Sequence, residues 1–125
     1  MKKPIATQNA PAAIGPYSQG VDAGSIVFVS GQLPVDPSTG AFAEGGIAEQ
    51  TNQSLTNIQA ILAESGLTMD NVVKTTVFLK DMNDFAAMNQ VYATFFTTNP
   101  PARSAVEVAR LPKDARLEIE AIAVR

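Results

Sequence analysis

Two short runs in the last quarter of the chain carry the residue types best suited to chemistry. In PARSAVEVARL (Pro101–Leu111), Arg103, Ala105, Glu107, Ala109 and Leu111 fall on one side and Ser104, Val106, Val108 and Arg110 on the other, the period of a strand. Arg103 stands at the mouth of that strand, straight after a Pro-Pro corner. Such an Arg is either an edge charge that discourages sheet-to-sheet pairing or a fork whose paired donors match the two oxygens of a carboxylate. In LEIEAIAV, Leu117, Ile119, Ala121 and Ala123 share one face, and Glu118, Glu120, Ile122 and Val124 share the other. Glu120 lies mid-strand among apolar neighbours. Either that face is exposed, or Glu120 is buried and needs an Arg, a backbone N–H or an ordered water to offset its desolvation.

Other positions are suggestive only in company. Ser30–Gly31 ends the apolar run VFVS; it is a strand-end turn before Pro34 or a place where backbone approaches a ligand closely. Asn89 borders the apolar stripe of a helix, and Tyr17 follows the Gly-Pro pair of GPYSQG. Neither identifies a function alone. Glu44–Gly46 precedes a helix, but there is no GK[ST] and Glu44 would repel a phosphate. Glu118 and Glu120 lack the His or third acid that would make them a metal site, so no metal and no cofactor is expected.

The absences are informative. The chain of 125 residues contains no Cys, no His and no Trp. Disulfides, thiolate nucleophiles and thiolate-bound zinc are excluded, and the usual general base near neutral pH is missing. Any catalysis must rest on Arg, Glu/Asp, Ser/Thr, Tyr, Asn, backbone groups and water. A net charge of −3, with basic residues scattered and no aromatic ladder, argues against nucleic acid as the main partner. The apolar runs are too short to span a bilayer. The N-terminal MKKPIATQNAPAAIGPY has no continuous apolar segment behind its lysines, which argues against a signal peptide and for a cytoplasmic protein.

These residues must be positioned by a small set of elements. Gly24–Ser25 introduces a β-branched run, SIVFVSGQLPV, that reads as a strand ending near Gly31–Pro34, and DPSTG (Asp36–Gly40) has turn chemistry. From about Gly46 to Ser65 the period is helical, with Ile47, Gln50/Thr51, Leu55, Ile58, Ile61 and Leu62 on one face and Gly66 as the stop. Asn71–Lys80 is an inner strand. Asp84–Phe96 is a second helix, capped by Asn83 or Asp81, with Phe85, Met88, Val91, Tyr92 and Phe95 in one stripe. The two closing strands join through Pro112–Lys113–Asp114. One domain over 1–125 is expected, α+β, with two helices on one face of a mixed sheet. The other face must meet water or another copy. Its Val and Ala content favours another copy, with Val77 on that uncovered face.

Taken together, IGPYSQG, VSGQLPVDPSTG, KTTVFLKDMNDFAAMNQVYATFF and above all PARSAVEVARLPKDARLEIEAIAV resemble the RidA family (YjgF/YER057c/UK114), and within it the reactive imine and enamine deaminases. The resemblance covers essentially the whole chain. It implies a chorismate-mutase-like fold, a six-stranded mixed sheet with two helices on one face, assembled as a homotrimer with sites in clefts between subunits. It implies hydrolysis of 2-aminoacrylate and 2-aminocrotonate, or their 2-imino tautomers, to 2-oxo acids and ammonia, following pyridoxal-phosphate dehydratases of serine and threonine. By matching motif, Arg103 would bind the substrate carboxylate and Glu120 would hold or activate water. Ser30 and Gly31 would line the pocket, with Tyr17 and Asn89 around it. Ala105 stands where the family often has Cys, which leaves only a backbone contact there. The loop between FFTTN and PPARS is a few residues shorter than in familiar bacterial members. A competing reading is a non-catalytic binder or sensor of small 2-oxo acids, which needs Arg103 and not Glu120.

Overall fold

The computed structural model describes residues 1–125. Six strands form one sheet: β1 (Lys3–Ile5), β2 (Gly20–Asp22), β3 (Ile26–Gln32), β4 (Val72–Leu79), β5 (Ala102–Glu107) and β6 (Leu117–Val124). Their spatial order is β1-β2-β3-β6-β4-β5. Neighbours are antiparallel except β4 and β5, which run parallel, because the helix joining them returns the chain to the same end of the sheet. The two longest strands, β4 and β6, sit together inside the sheet and β5 forms an edge.

Helix α1 (Ile47–Glu64) starts at Gly46, whose N–H donates to Glu49 Oε1 at 2.8 Å, one half of a capping box. It stops where Gly66 takes a φ of 74° and the Leu67 N–H returns to the Leu62 carbonyl, a C-terminal turn that favours Gly. Asp81 caps a short 3-10 turn, Met82–Asp84, by accepting from the Asn83 N–H at 2.9 Å, and α2 (Phe85–Phe95) continues from it. Leu55, Ile58, Ile61 and Leu62 of α1 and Met88 of α2 are fully buried against Val27 of β3, Val77 and Leu79 of β4, and Leu117 and Ile119 of β6.

One expectation is overturned by this packing. Val77 pairs with Ile119 and Ala105, is 0% exposed and points at the helices. VVKTTVFL is apolar in both phases, so alternation alone does not say which set looks inward. In the fold, Thr75, Val77 and Leu79 face the helices. Lys74, Thr76 and Phe78 face the other way, only partly covered. That second face, which no element of the chain covers, also carries Phe28 at 45% and Val106 at 44% exposure. Two further differences are small. β1 and β2, three residues each, extend the sheet beyond the strands legible from periodicity. β5 ends at Glu107, so the alternation running on to Leu111 is not all strand; Leu111 turns inward, buried, ahead of the Pro112–Asp114 turn.

Candidate active site

The site begins with an irregularity in β3. Val29 pairs with Ala121 and Gln32 with Ile119, so Ser30 and Gly31 together oppose the single residue Glu120, the two-against-one count of a β-bulge. The bulge sets Gly31 beside Glu118. A Cβ built on Gly31 would lie 2.3 Å from Glu118 Oε2 and 2.8 Å from its carboxyl carbon. The missing side chain is therefore a notch, and the Glu118 carboxyl group occupies it.

Glu118 is half-buried and no protein group donates a hydrogen bond to its carboxylate. Burial first, and then the negative charge of Glu120 two residues away, push its carboxyl above the usual value of 4.5, since both disfavour the ionised form. Glu120 itself is exposed. Of the two alternatives left open at Glu120, the chain by itself shows the exposed face, and the half-buried carboxylate of that face is Glu118. No sequence signal separates the two, because they share a strand face and differ only in what the neighbouring bulge leaves open.

Glu118, Glu120, Ser30, Gly31, Tyr17 and Lys113 line a cleft of about 1120 Å³ on the uncovered side of the sheet. Tyr17 is 53% exposed there. The Ser30 hydroxyl donates to the Ser18 carbonyl at 2.6 Å and its N–H donates to the Gln19 carbonyl at 2.9 Å. Ser30 therefore fastens the loop that carries Tyr17. Gln19, which sequence reading passed over, is the other fastener. It is 4% exposed; its side-chain oxygen accepts from the Thr7 N–H, and its nitrogen lies within hydrogen-bond distance of the Thr7, Ala10 and Pro11 carbonyls. Its partners lie 8 to 12 residues away in an irregular loop, and no local pattern announces such a role.

Arg103 is held by α2. Its Nη1 donates to Asn89 Oδ1 at 2.6 Å, and the guanidinium carbon lies 4.7 Å from the Tyr92 ring centre and 5.3 Å from that of Phe85. Phe85, Asn89 and Tyr92 recur at helical spacing on one face of α2. Tyr92 is pinned in turn: its hydroxyl and Thr75 Oγ1 share a buried 2.6 Å hydrogen bond, and burial raises its hydroxyl pKa above the ordinary 10.0. Stacking a cation on aromatic rings fixes the guanidinium plane. Asn89 is its one protein acceptor, so donors of the fork are left for a ligand. Ala105 follows on the same side of β5, half-buried beside Val77.

The candidate residues therefore form two groups that one chain does not bring together. Arg103 is in register with Thr75 and, beyond it, Ala121, all on the helix side. Glu120 is in register with Thr76 and Ser104 on the opposite side. Arg103, Asn89 and Ala105 lie on one face of the sheet; Tyr17, Ser30, Gly31, Glu118 and Glu120 lie on the other. No cluster of acidic residues suited to a metal ion is present, and no helix is long and apolar enough to cross a membrane.

The chain as a whole is similar to several known proteins. The family model described as Endoribonuclease L-PSP matches residues 7–125. A 2-iminobutanoate/2-iminopropanoate deaminase of Salmonella typhimurium is 62% identical over all of this chain and 99% of its own. The Escherichia coli protein of the same name is 59% identical, again over all of this chain and 99% of its own. Among solved structures, E. coli TdcF with bound serine superposes with a TM-score of 0.95 at 55% identity, covering 98% of each chain. The YjgF gene product of E. coli gives 0.95 at 59% identity, again over 98% of each chain.

Proposed function

We propose an imine-deaminase function for this protein, on the premise that the chain belongs to the Endoribonuclease L-PSP family, also called the RidA or YjgF family. Its reaction is hydrolysis of small 2-imino acids, the 2-imino forms of butanoate and propanoate named for its relatives, to 2-oxo acids and ammonia. The observation that carries this reading is the Glu118 carboxyl: half-buried, raised above its ordinary pKa, unbonded by any protein donor and open to the cleft.

A 2-imino acid is electrophilic once its nitrogen is protonated, so water needs orientation more than activation. Arg103 grips the carboxylate through its free donors, which fixes C2 of the substrate. Glu118 accepts a proton from the water as its oxygen bonds to C2. Glu118 then returns that proton to the nitrogen of the 2-amino-2-hydroxy acid and accepts the hydroxyl proton as the carbonyl forms and the C–N bond breaks; the departing ammonia takes this last proton and leaves as ammonium, with Glu118 ionised again. An enamine substrate enters the same route after protonation at C3 gives the imine. No thiol and no cofactor takes part. Glu120 serves this scheme by its charge, which helps to keep the Glu118 pKa up.

The scheme needs Arg103 of one copy beside Glu118 of another, since one chain holds them on opposite faces of its sheet. The surfaces that meet are then different on the two copies, a heterologous contact that closes into a ring. A homotrimer with sites between subunits is the ring we infer, supported by the uncovered apolar face. Absence of His and a net charge of −3 favour a small acid over RNA as the substrate, and a cytoplasmic place suits such an intermediate.

The second reading, a binder of small acids without turnover, is favoured by one observation: a relative holds serine in its solved structure. Generating 2-iminobutanoate in situ with a dehydratase and following ammonia release separates the two. Turnover that Glu118→Gln cuts to a small but measurable residual rate and Glu120→Gln leaves largely intact is the expected result. Binding of 2-oxobutanoate without any acceleration of imine hydrolysis would establish the binder instead.

A further inference from the structure

We propose that Gly31 is a positioning residue for hydrolysis: the notch left by its absent side chain, in the bulge of β3, holds the Glu118 carboxyl group in the cleft. The proposal rests on the deaminase reading above and adds to it the reason that this carboxyl, and not its neighbour, points where water would be held.

The geometry leaves little room for another role. A Cβ at Gly31 would approach Glu118 Oε2 to 2.3 Å, the carboxyl carbon to 2.8 Å and Cγ to 3.1 Å, all closer than ordinary van der Waals contact. Any side chain at position 31 therefore drives the whole end of Glu118 out of its place. The backbone itself would accept one, because Gly31 is not among the glycines with positive φ. The glycine is required for space and not for conformational freedom, which distinguishes it from Gly66 at the end of α1. Regular pairing would also remove the notch: without the bulge, residue 31 would oppose Ile119 and face the helices. Bulge and glycine act together. The charged and titratable groups sharing the cleft with Glu118 are Glu120, Lys113 and Tyr17; none of them donates a hydrogen bond to it, so nothing else fixes its rotamer.

Three variants of the full chain test this: Gly31→Ala, Glu118→Gln and the double substitution, each checked for a cooperative melt no lower than that of wild type and for unchanged oligomeric state. Gly31→Ala should lower kcat for in situ 2-iminobutanoate at least tenfold, with KM changed less than threefold. The acid limb of its kcat profile should move to lower pH, as a displaced, hydrated carboxyl returns toward its ordinary pKa. In the Glu118→Gln background the same substitution should change the residual rate less than twofold, because its target is already gone. NMR titration of the 13C-labelled Glu118 carboxyl reads the displacement without reference to activity and should show the same downward shift. Glu118→Asp, which withdraws the carboxyl by one methylene with Gly31 intact, should reproduce the rate loss should Gly31→Ala fold poorly. An unmoved titration and full activity in Gly31→Ala, with Glu118→Gln cut to its residual rate, would overturn the positioning role alone. A tenfold loss that persists in the Glu118→Gln background would overturn it too. Full activity of Glu118→Gln would instead remove the deaminase scheme on which it rests.

Discussion

Arg103 is oriented before any ligand arrives, by two rings and one amide of α2. A lysine at the same position would offer neither a plane to stack nor a second donor aligned with the first. Arg103→Lys should keep the fold and lose about 2–3 kcal/mol of transition-state binding, read as a fall in kcat/KM on the order of a hundredfold; a loss under twofold would deny the fork. Glu118 allows a prediction of opposite sign on stability. Its folded pKa lies above 4.5, so below the ordinary value both folded and unfolded chains carry the proton and no penalty applies. As pH rises through the folded pKa, ionising the half-buried carboxyl costs stability. Glu118→Gln should therefore melt at a higher temperature than wild type near neutral pH, and the gain should vanish at pH below 4.5. A gain that grows toward acid would contradict the burial argument. At this scale the sequence was a partial guide. Arg103 was conspicuous because Pro-Pro marks a strand's mouth, but the stretch left an edge charge and a carboxylate fork both open, and the fork came with the family resemblance. Glu118 and Glu120 were not separable, since alternation assigns a face and says nothing of depth.

At the scale of elements, α2 does more than cover the sheet. Its Phe85, Asn89 and Tyr92 hold the guanidinium, and its Tyr92 hydroxyl reaches through to Thr75 of β4. Tyr92→Phe preserves the stacked ring but leaves the Thr75 hydroxyl, 1% exposed, without its partner. We expect a loss of about 1–3 kcal/mol in stability by denaturant titration, with activity held within about threefold. A collapse of activity would mean that the hydroxyl acts in the reaction. Both helices, the inner strand and the closing strands could be read from period and caps, because each is long enough to repeat its pattern. β1 and β2 could not, being three residues each and stabilised by pairing rather than by propensity. The phase of β4 failed for a related reason: a strand apolar on both sides carries no arrow.

For the whole molecule the phase of β4 decides which surface a substitution tests. Val77→Asp would put a charge into the core and unfold the chain, saying nothing of assembly. Val106→Asp and Phe28→Asp place it on the uncovered face, where both side chains are more than 40% exposed. Each should leave the circular dichroism spectrum intact, reduce the mass seen by light scattering and abolish imine hydrolysis. A fully active monomer would refute the shared site. That two helices cover one face of a mixed sheet was readable from element order, and the count of six strands came with the family resemblance, whereas the separation of the candidate residues onto two faces was not readable, since it depends on register between strands far apart in sequence.

In the proposed scheme, the placement of Arg103 and Glu118 on opposite faces of one sheet makes the catalytic unit a junction rather than a chain. Two inactive chains, one Arg103→Ala and the other Glu118→Gln, should then rescue each other. Dissociated, mixed in equal amounts and allowed to reassemble, they would draw an intact Arg103 half the time and an intact Glu118 half the time at each junction. About a quarter of the junctions would be whole in a closed heterologous ring. Recovery of about a quarter of wild-type activity from two dead parents is the expected outcome, and none at all would place both groups in the same chain's site. In a cell carrying two damaged copies of the gene, the same arithmetic would leave a working enzyme.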